Sequence, residues 1–355
     1  MRKRNAWYAA LGTAALAAPL LCAPGAAAGP SGPSHNQPNN NPGFLQVYDA
    51  NVENFPTSTE KCKGDWEDLL FYMRSRRYKP DVYTVQQVGG RRQLDVLLKK
   101  MRKHFGETYA GVVAQPAPAP GGGACGKEKS RQTNAVIWRT SRLSLKLSAP
   151  SRNIWQVRRQ LRKQCVNNSQ ARTVSVKALL RDRVTGKNVT AASFHWPSRR
   201  SGASGKCAVV NAAELSREIT EDGYGRAQLY LAGGDTNWST HRKNSPGTWT
   251  AWYRRANGAL GGAHRFRDPV YAGCAAGGGS VAKCLAQKWT FTDGRKRRID
   301  VLLARTPKGT PPPTTSDAVV PSFDEADQAA RRFTGSDRTD LDYSDHRAVG
   351  ARIHY

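Results

Sequence analysis

Apolar residues fall into short runs divided by polar turns along most of this chain. The run "FLQVYDA" (44–50) predicts a strand, followed by the polar loop "NVENFPTST". The period then changes. Trp66, Leu69, Leu70 and Met73 recur at i, i+3, i+4 and i+7, which predicts a helix over 65–77 with Asp65 placed to cap it. "DVYTVQQV" (81–88) returns to a strand pattern, and Leu94, Leu97, Leu98 and Met101 put one apolar face on a second helix at about 91–104. Strand, helix, strand, helix is the opening of an α/β chain. A Pro- and Gly-rich loop follows at 114–126, after which the chain is dense in strands: 134–139, 143–147, 173–180, 188–196, 226–235, 297–305 and 346–355, with one helix around 210–220. No break in composition divides residues 44–355, so one domain is expected, and a monomer.

The first 28 residues do not belong to that pattern. "MRKR", an apolar stretch and the small-residue run "GAAAG" have the form of a secretory signal peptide over 1–28. Residues 29–43, "GPSGPSHNQPNNNPG", have little to bury and predict a flexible leader. No later segment is apolar and long enough to span a bilayer, so no membrane anchor is expected and the location is extracellular. Outside the signal remain Cys62, Cys125, Cys165, Cys207, Cys274 and Cys284; an even number in an exported chain predicts up to three disulfides of undetermined pairing.

Charge narrows the partners. The chain carries a net +28, and about +25 once Arg2, Lys3 and Arg4 leave with the signal. Such a field gathers polyanions: nucleic acid, acidic lipid or acidic cell-wall polymer. Basic runs recur beside strand ends, among them "QVRRQLRKQ" (156–164) and "GRKRR" (294–298), and Trp196 and Trp238 have two readings, packing on a sugar or base or a structural role. Together they favour nucleic acid bound through a basic surface.

Several strands also begin or end on polar residues: Asn51 and Glu53, Gln87, His195, Asp235 with Asn237, and Asp345 with His346; Asp300 lies in "RIDVLL". Each alone has a structural explanation, as a turn cap or a satisfied core-edge group. Their recurrence at strand ends, where a rigid scaffold presents groups to a ligand, points to one site.

In order along the chain, these blocks resemble the endonuclease/exonuclease/phosphatase superfamily, the DNase I-like fold. "YDANVENF" resembles its opening strand, "KPDVYTVQQV" its second, "NAVIWR" its third block and "SFHW" its histidine block. "GGDTNW", "RRIDVLL" and "YSDHRAVG" resemble its G-D-x-N, R-I-D and S-D-H blocks. The resemblance implies a four-layer α/β/β/α sandwich of two mostly antiparallel sheets, and metal-assisted hydrolysis of phosphate esters. It implies His346 as the base or phosphate contact, Asp300 as its orienting carboxylate, and Asp235 as the group that activates water. His195 and Asn237 would meet phosphoryl oxygens. Asn51, Asp345, Glu53 and Gln87 would stand on the metal side, with Mg²⁺, or Mn²⁺ or Ca²⁺, as the ion. Oxygen donors suit these hard cations, and a carboxylate beside a histidine fixes its tautomer.

One residue departs from the pattern. Where the family's second strand has a metal-binding glutamate, this chain has Gln87, which keeps an oxygen donor but no charge. Three readings stay open: a secreted nuclease acting on DNA or RNA, a weak or inactive nucleic-acid-binding protein, and a phosphoesterase acting on a lipid or sugar phosphate.

Overall fold

The computed structural model describes residues 35–52, 66–120, 131–147, 153–161, 164–167, 170–198, 205–242, 245–335 and 342–355. In chain order these form β1 (Phe44–Asn51), α1 (Trp66–Ser75), β2 (Val82–Val88), α2 (Arg91–Phe105), β3 (Tyr109–Val113), β4 (Thr133–Arg139) and β5 (Leu143–Leu147). Next come β6 (Ile154–Gln156), β7 (Arg158–Leu161), β8 (Gln164–Asn167), β9 (Val174–Asp182), β10 (Asn188–His195), α3 (Gly205–Glu218), β11 (Leu229–Asp235), β12 (His241–Arg242), β13 (Ser245–Trp249) and α4 (Ala251–Ala256). The last part holds α5 (Pro269–Ala276), α6 (Val281–Gln287), β14 (Phe291–Thr292), β15 (Lys296–Arg297), β16 (Asp300–Arg305), β17 (Thr314–Val319), α7 (Phe323–Thr334) and β18 (Val349–His354).

Two six-stranded sheets carry the structure. One has the order β17-β18-β1-β2-β4-β3; the other runs β16-β11-β10-β9-β5, with β6 also paired to β9. Within them β1–β2 and β10–β11 are parallel and the other pairs antiparallel. Strands buried on both faces read as continuous apolar runs, and the β2 and β4 patterns are buried throughout. One apolar cluster lies between the sheets, built from Val47, Val82, Val136, Leu180, Leu231 and Leu302 among others. A second covers the outer face of the first sheet beneath α1, α2 and α7, and a third the outer face of the second sheet beneath α3 and α4. This is the four-layer α/β/β/α sandwich expected for a DNase I-like fold.

Leu69, Leu70, Met73, Leu94, Leu97 and Met101 are all buried, so both predicted helical stripes face the core. Residues 35–43 differ from the expected leader. Gln37 bridges Tyr78, and fully buried Asn39 donates its side-chain N–H to Phe44 O and to Asp81. An amide that satisfies a buried carboxylate is part of the fold. The signal segment, Asp65, Cys62 and Cys125 lie outside the described residues. Cys165–Cys207 and Cys274–Cys284 form disulfides. Among the described residues, no helix is long and apolar enough to cross a membrane.

Candidate active site

Strand register assembles the site. His195, at the end of β10, lies opposite Asp235, at the end of β11, and Asp235 lies opposite Asp300, at the start of β16. Three polar residues thus stand side by side across three neighbouring strands. Residues far apart in sequence are set at strand spacing by backbone ladders alone. The other sheet contributes from across the sandwich, where β1 and β2 pair Asn51 with Gln86. Gly233 lets the sheets approach here: a Cβ at that position would overlap Thr84 Oγ1 and Asp49 Oδ1.

His346 is held from two sides. Its Nδ1–H lies 3.0 Å and 2.9 Å from the two carboxylate oxygens of Asp300, both residues buried. Its backbone pairs with Phe291, whose ring lies 4.6 Å from the imidazole, centroid to centroid. Burial alone would lower the pKa of His346, but the charges of Asp300, Asp345 and Asp235 outweigh it and hold the pKa well above the ordinary histidine value. His346 is therefore an imidazolium at neutral pH. With Nδ1 committed, Nε2 faces Asp235 Oδ2 at 3.9 Å and Asp345 Oδ1 at 3.7 Å.

Asp235 is 1% exposed, and burial pushes its pKa up to about 7, reinforced by the charge of Asp300 and partly offset by His346. Its Oδ1 accepts from the backbone N–H of Asn237 at 2.6 Å, and its Oδ2 from Asn51 Nδ2 at 3.2 Å. A carboxylate poised near neutrality suits proton abstraction.

His195 is the opposite case. Burial, then the charges of Arg172 and His346, hold its pKa well below the ordinary value, so it is neutral. Asn237 Nδ2 lies 2.7 Å from the carbonyl of Trp196, which fixes that amide end as the nitrogen. The same Nδ2 then donates to His195 Nε2 at 2.9 Å. The imidazole proton accordingly sits on Nδ1, which is buried and has no hydrogen-bond partner among the described residues. Asn237 has φ 55°, a left-handed conformation that asparagine tolerates better than most residues.

The structure thus brings together Asn51, His195, Asp235, Asn237, Asp300, Asp345 and His346. Gln87 makes a different contact. A bulge between Val85 and Val88 puts it at φ 60°, and its Oε1 accepts from Gln132 Nε2 at 3.0 Å. Glu53 lies outside the described residues. Trp196 is 1% exposed and packs on Phe194 and Trp252, so it is core and not a stacking surface. Arg298 of the "GRKRR" run is also buried, bonded through both terminal nitrogens to Asp268 at 2.6 Å and 2.8 Å.

Three residues escape the sequence reading. Gln86, not Gln87, points between the sheets, where its Nε2 donates to Asp49 Oδ1 at 2.8 Å and to Ser193 Oγ at 3.0 Å. Asp49 is fully buried, and burial pushes its pKa well up despite bonds from Thr84 and Gln86, so it is a neutral acid beneath the site. Alternation along "VYDAN" places Asp49 and Asn51 on one face and is the signal that could have found it. Arg172, in the turn before β9, places its charge near Asp235 and His195; burial lowers its pKa, and Asp235 pulls it back up. Nothing in its local sequence marks it.

Asp235 and Asp300 offer carboxylate oxygens that lie, with a ring nitrogen of His346, within 4.8 Å of one another; as an imidazolium His346 has no lone pair for an ion, so the carboxylates are the ligands there. The donor set is rich in oxygen, and the pKa of Asp235, raised first by burial and then by the charge of Asp300, marks a carboxylate whose ionised form a divalent cation would favour. The residues fit a hard divalent ion.

Solved structures share this fold. An endonuclease/exonuclease/phosphatase from Bacteroides vulgatus superposes with TM-score 0.54 at 13% identity, covering 88% of this chain and 98% of that one. D. rerio TDP2 complexed with single strand DNA product gives 0.53 at 14% identity, covering 88% and 99%. The human Nocturnin catalytic domain with bound sulfate gives 0.53 at 14%, covering 89% and 99%. At these identities the likeness is one of fold. No family model and no curated protein matches the chain.

Proposed function

We propose that this protein is a metal-dependent phosphodiesterase that cuts nucleic acid outside the cell. The carrying observation is the buried row His195–Asp235–Asp300 with His346 bonded to its end. It joins a cationic donor, a carboxylate poised near neutrality and a neutral imidazole within a few ångströms.

The roles follow from protonation. Imidazolium His346, oriented by Asp300, binds a phosphoryl oxygen through Nε2–H and can hand that proton to the leaving alkoxide. Asp235 Oδ2 accepts the proton of the attacking water. Arg172 supplies a positive charge beside the reacting phosphate, while Asn237, whose N–H groups are committed to Trp196, His195 and Asp235, holds the histidine and the carboxylate in place. Asp345 and Asn51 would hold the divalent cation, whose charge neutralises the phosphodiester oxygens. The net +28 favours a polyanionic substrate over a neutral headgroup, and among the proteins of like fold TDP2 was captured with a single-stranded DNA product.

A second reading, binding without cleavage, draws on Gln87, a neutral amide turned toward Gln132. Supercoiled plasmid and single-stranded oligonucleotide incubated with Mg²⁺, Mn²⁺ or Ca²⁺ separate the two. Cleavage that EDTA stops and that His346→Ala abolishes is expected. DNA retarded but intact with every ion would establish the binder in place of the enzyme.

A further inference from the structure

Beside the reacting cluster lies a cavity of about 610 Å³, within the size range of small-molecule sites. Asn237 forms part of its wall, so it opens directly from the site. Trp238 and Arg242 line it, and so do Arg295, Lys296 and Arg297, carried on the β14–β15 hairpin. That hairpin is tied to the site at its base, because Phe291 pairs with and packs on His346, and Arg297 lies 5.0 Å over the Phe291 ring. Its basic tip is therefore held at a fixed place relative to the reacting histidine.

Among the described residues no carboxylate lines the cavity. Asp293, on the same hairpin, pairs with Arg297 at 3.1 Å and approaches Arg295 at 4.0 Å, leaving positive charge in surplus. The side chains of Arg242, Arg295 and Lys296 are exposed. Cations spaced along a groove with an indole in its wall form the surface that follows a phosphate backbone while accepting a base.

We propose that this cleft is the subsite for the nucleotides flanking the scissile bond of a single-stranded nucleic acid. Arg242, Arg295 and Lys296 contact successive phosphates, and Trp238 forms the wall against a sugar or base. The proposal rests on the reading of Asp235, Asp300 and His346 as the phosphodiester centre. It adds where the strand runs. A rigid duplex has its bases stacked inside and offers none to a concave wall, so the cleft favours single strands.

Binding in EDTA, without turnover, tests it on the full-length protein. The probe is a fluorescein-labelled oligothymidylate of about 12 nucleotides, a length on the scale of single-strand sites. The variant R242A/R295A/K296A is compared with K99A/R102A/K103A, which removes the same charge from the exposed face of α2. The cleft variant should weaken binding at least about tenfold near 0.1 M salt and reduce the salt slope by about 2, at roughly 0.7 for each phosphate no longer neutralised. The α2 variant should stay within about twofold of wild type. Equal losses in both variants would assign binding to the general field and overturn the cleft, as would no loss in either. So would a cleft variant that keeps its oligonucleotide affinity but releases phosphatidylserine vesicles. Catalysis is scored separately by plasmid cleavage with metal. Cleavage with a cleft-independent affinity defeats only the subsite; cleft-dependent affinity without cleavage defeats only the enzyme reading.

Discussion

Asp300→Asn removes one charge, keeps the side-chain volume, and strikes the contact on which the proposed chemistry depends. In the native protein both Asp300 oxygens lie about 3 Å from His346 Nδ1, out of water. At an effective dielectric of about 20, unit charges at that distance attract by roughly 5 kcal/mol, which is enough to decide a buried histidine's protonation. With the carboxylate gone, burial acts against the remaining, more distant charges of Asp345 and Asp235, and the His346 pKa falls sharply. The imidazole then loses both its charge and its fixed tautomer, and kcat/KM should drop about 10²- to 10⁴-fold, the range for a general acid–base group and its orienting partner. Stability should move with it. The raised native pKa means that protonated His346 stabilises the fold fully below its unfolded value of about 6.5, and that this is lost as pH rises through the native pKa. The Tm gap between wild type and D300N should accordingly widen below about pH 6 and narrow in alkali. Plasmid-cleavage kinetics, NMR titration of the imidazole in EDTA and Tm against pH read these three effects. An imidazole that titrates as in wild type, or a variant keeping more than about a third of kcat/KM, would refute the pairing as the source of function.

Other parts of the fold give further expected outcomes. Glu67 on α1 accepts from His104 and Lys100 at 2.8 Å each; the His104 bond, against burial and with Lys100, lowers its pKa from 4.5 to about 2. Its stabilisation holds above about 4.5 and is lost as pH falls toward 2, so E67Q should cost roughly 2 kcal/mol at pH 7 in urea unfolding and flatten the acid limb. Asp268→Asn leaves Arg298 buried without its counter-charge and should cost about 3–5 kcal/mol by the same assay. Reducing Cys165–Cys207, which closes a 42-residue separation, should lower stability by about 4 kcal/mol in the chain-entropy account, seen as a fall in Tm with reductant.

The layers are legible because burial leaves a period in the sequence. The stripes Leu69–Leu70–Met73 and Leu94–Leu97–Met101 and the runs at β1, β2, β4, β9, β10, β11 and β16 map onto real elements. Helix α7 escapes that pattern although its ends are marked: Ser322 and Glu325 form a capping box, and Gly335 closes it in a left-handed turn. Strand β17 is hidden because "TTSDAV" is polar and only partly buried, as an edge strand can be. At the site, the strand-end residues are visible one by one, but their alignment depends on register between β10, β11 and β16, which no local pattern encodes. Arg172 goes unseen for the same reason, since it reaches the site from the turn before β9, whereas Asp49 shares its face of β1 with Asn51 and is open to the period-two pattern.

The glutamine in the second strand is a question of charge as much as of geometry. The bulge separates two amides that the sequence presents as equals: Gln86 turns inward to tie Asp49 to Ser193 across the sheets, and Gln87 turns toward Gln132. Neither brings charge to the cluster. Asp49 is neutral because burial holds its pKa high, and Asp235 is only partly ionised near pH 7. Asp300 is matched by the imidazolium of His346. The carboxylate left facing solvent is Asp345, 45% exposed. A hard cation is drawn by the negative charge of its ligands, so this site should bind Mg²⁺ weakly at neutral pH and more tightly as Asp235 ionises above about 7. Gln87→Glu adds the missing charge on the strand beside Asn51 and should raise metal affinity most at low pH, where Asp235 is protonated. Isothermal titration with Mn²⁺ at about pH 6 and about pH 8 reads both effects, on either side of the Asp235 pKa. Equal affinity at the two pH values in wild type would mean that Asp235 does not govern the ion. An unchanged affinity in Q87E would mean that residue 87 is not part of the cation site, and that the charge must be supplied from elsewhere on the strand ends.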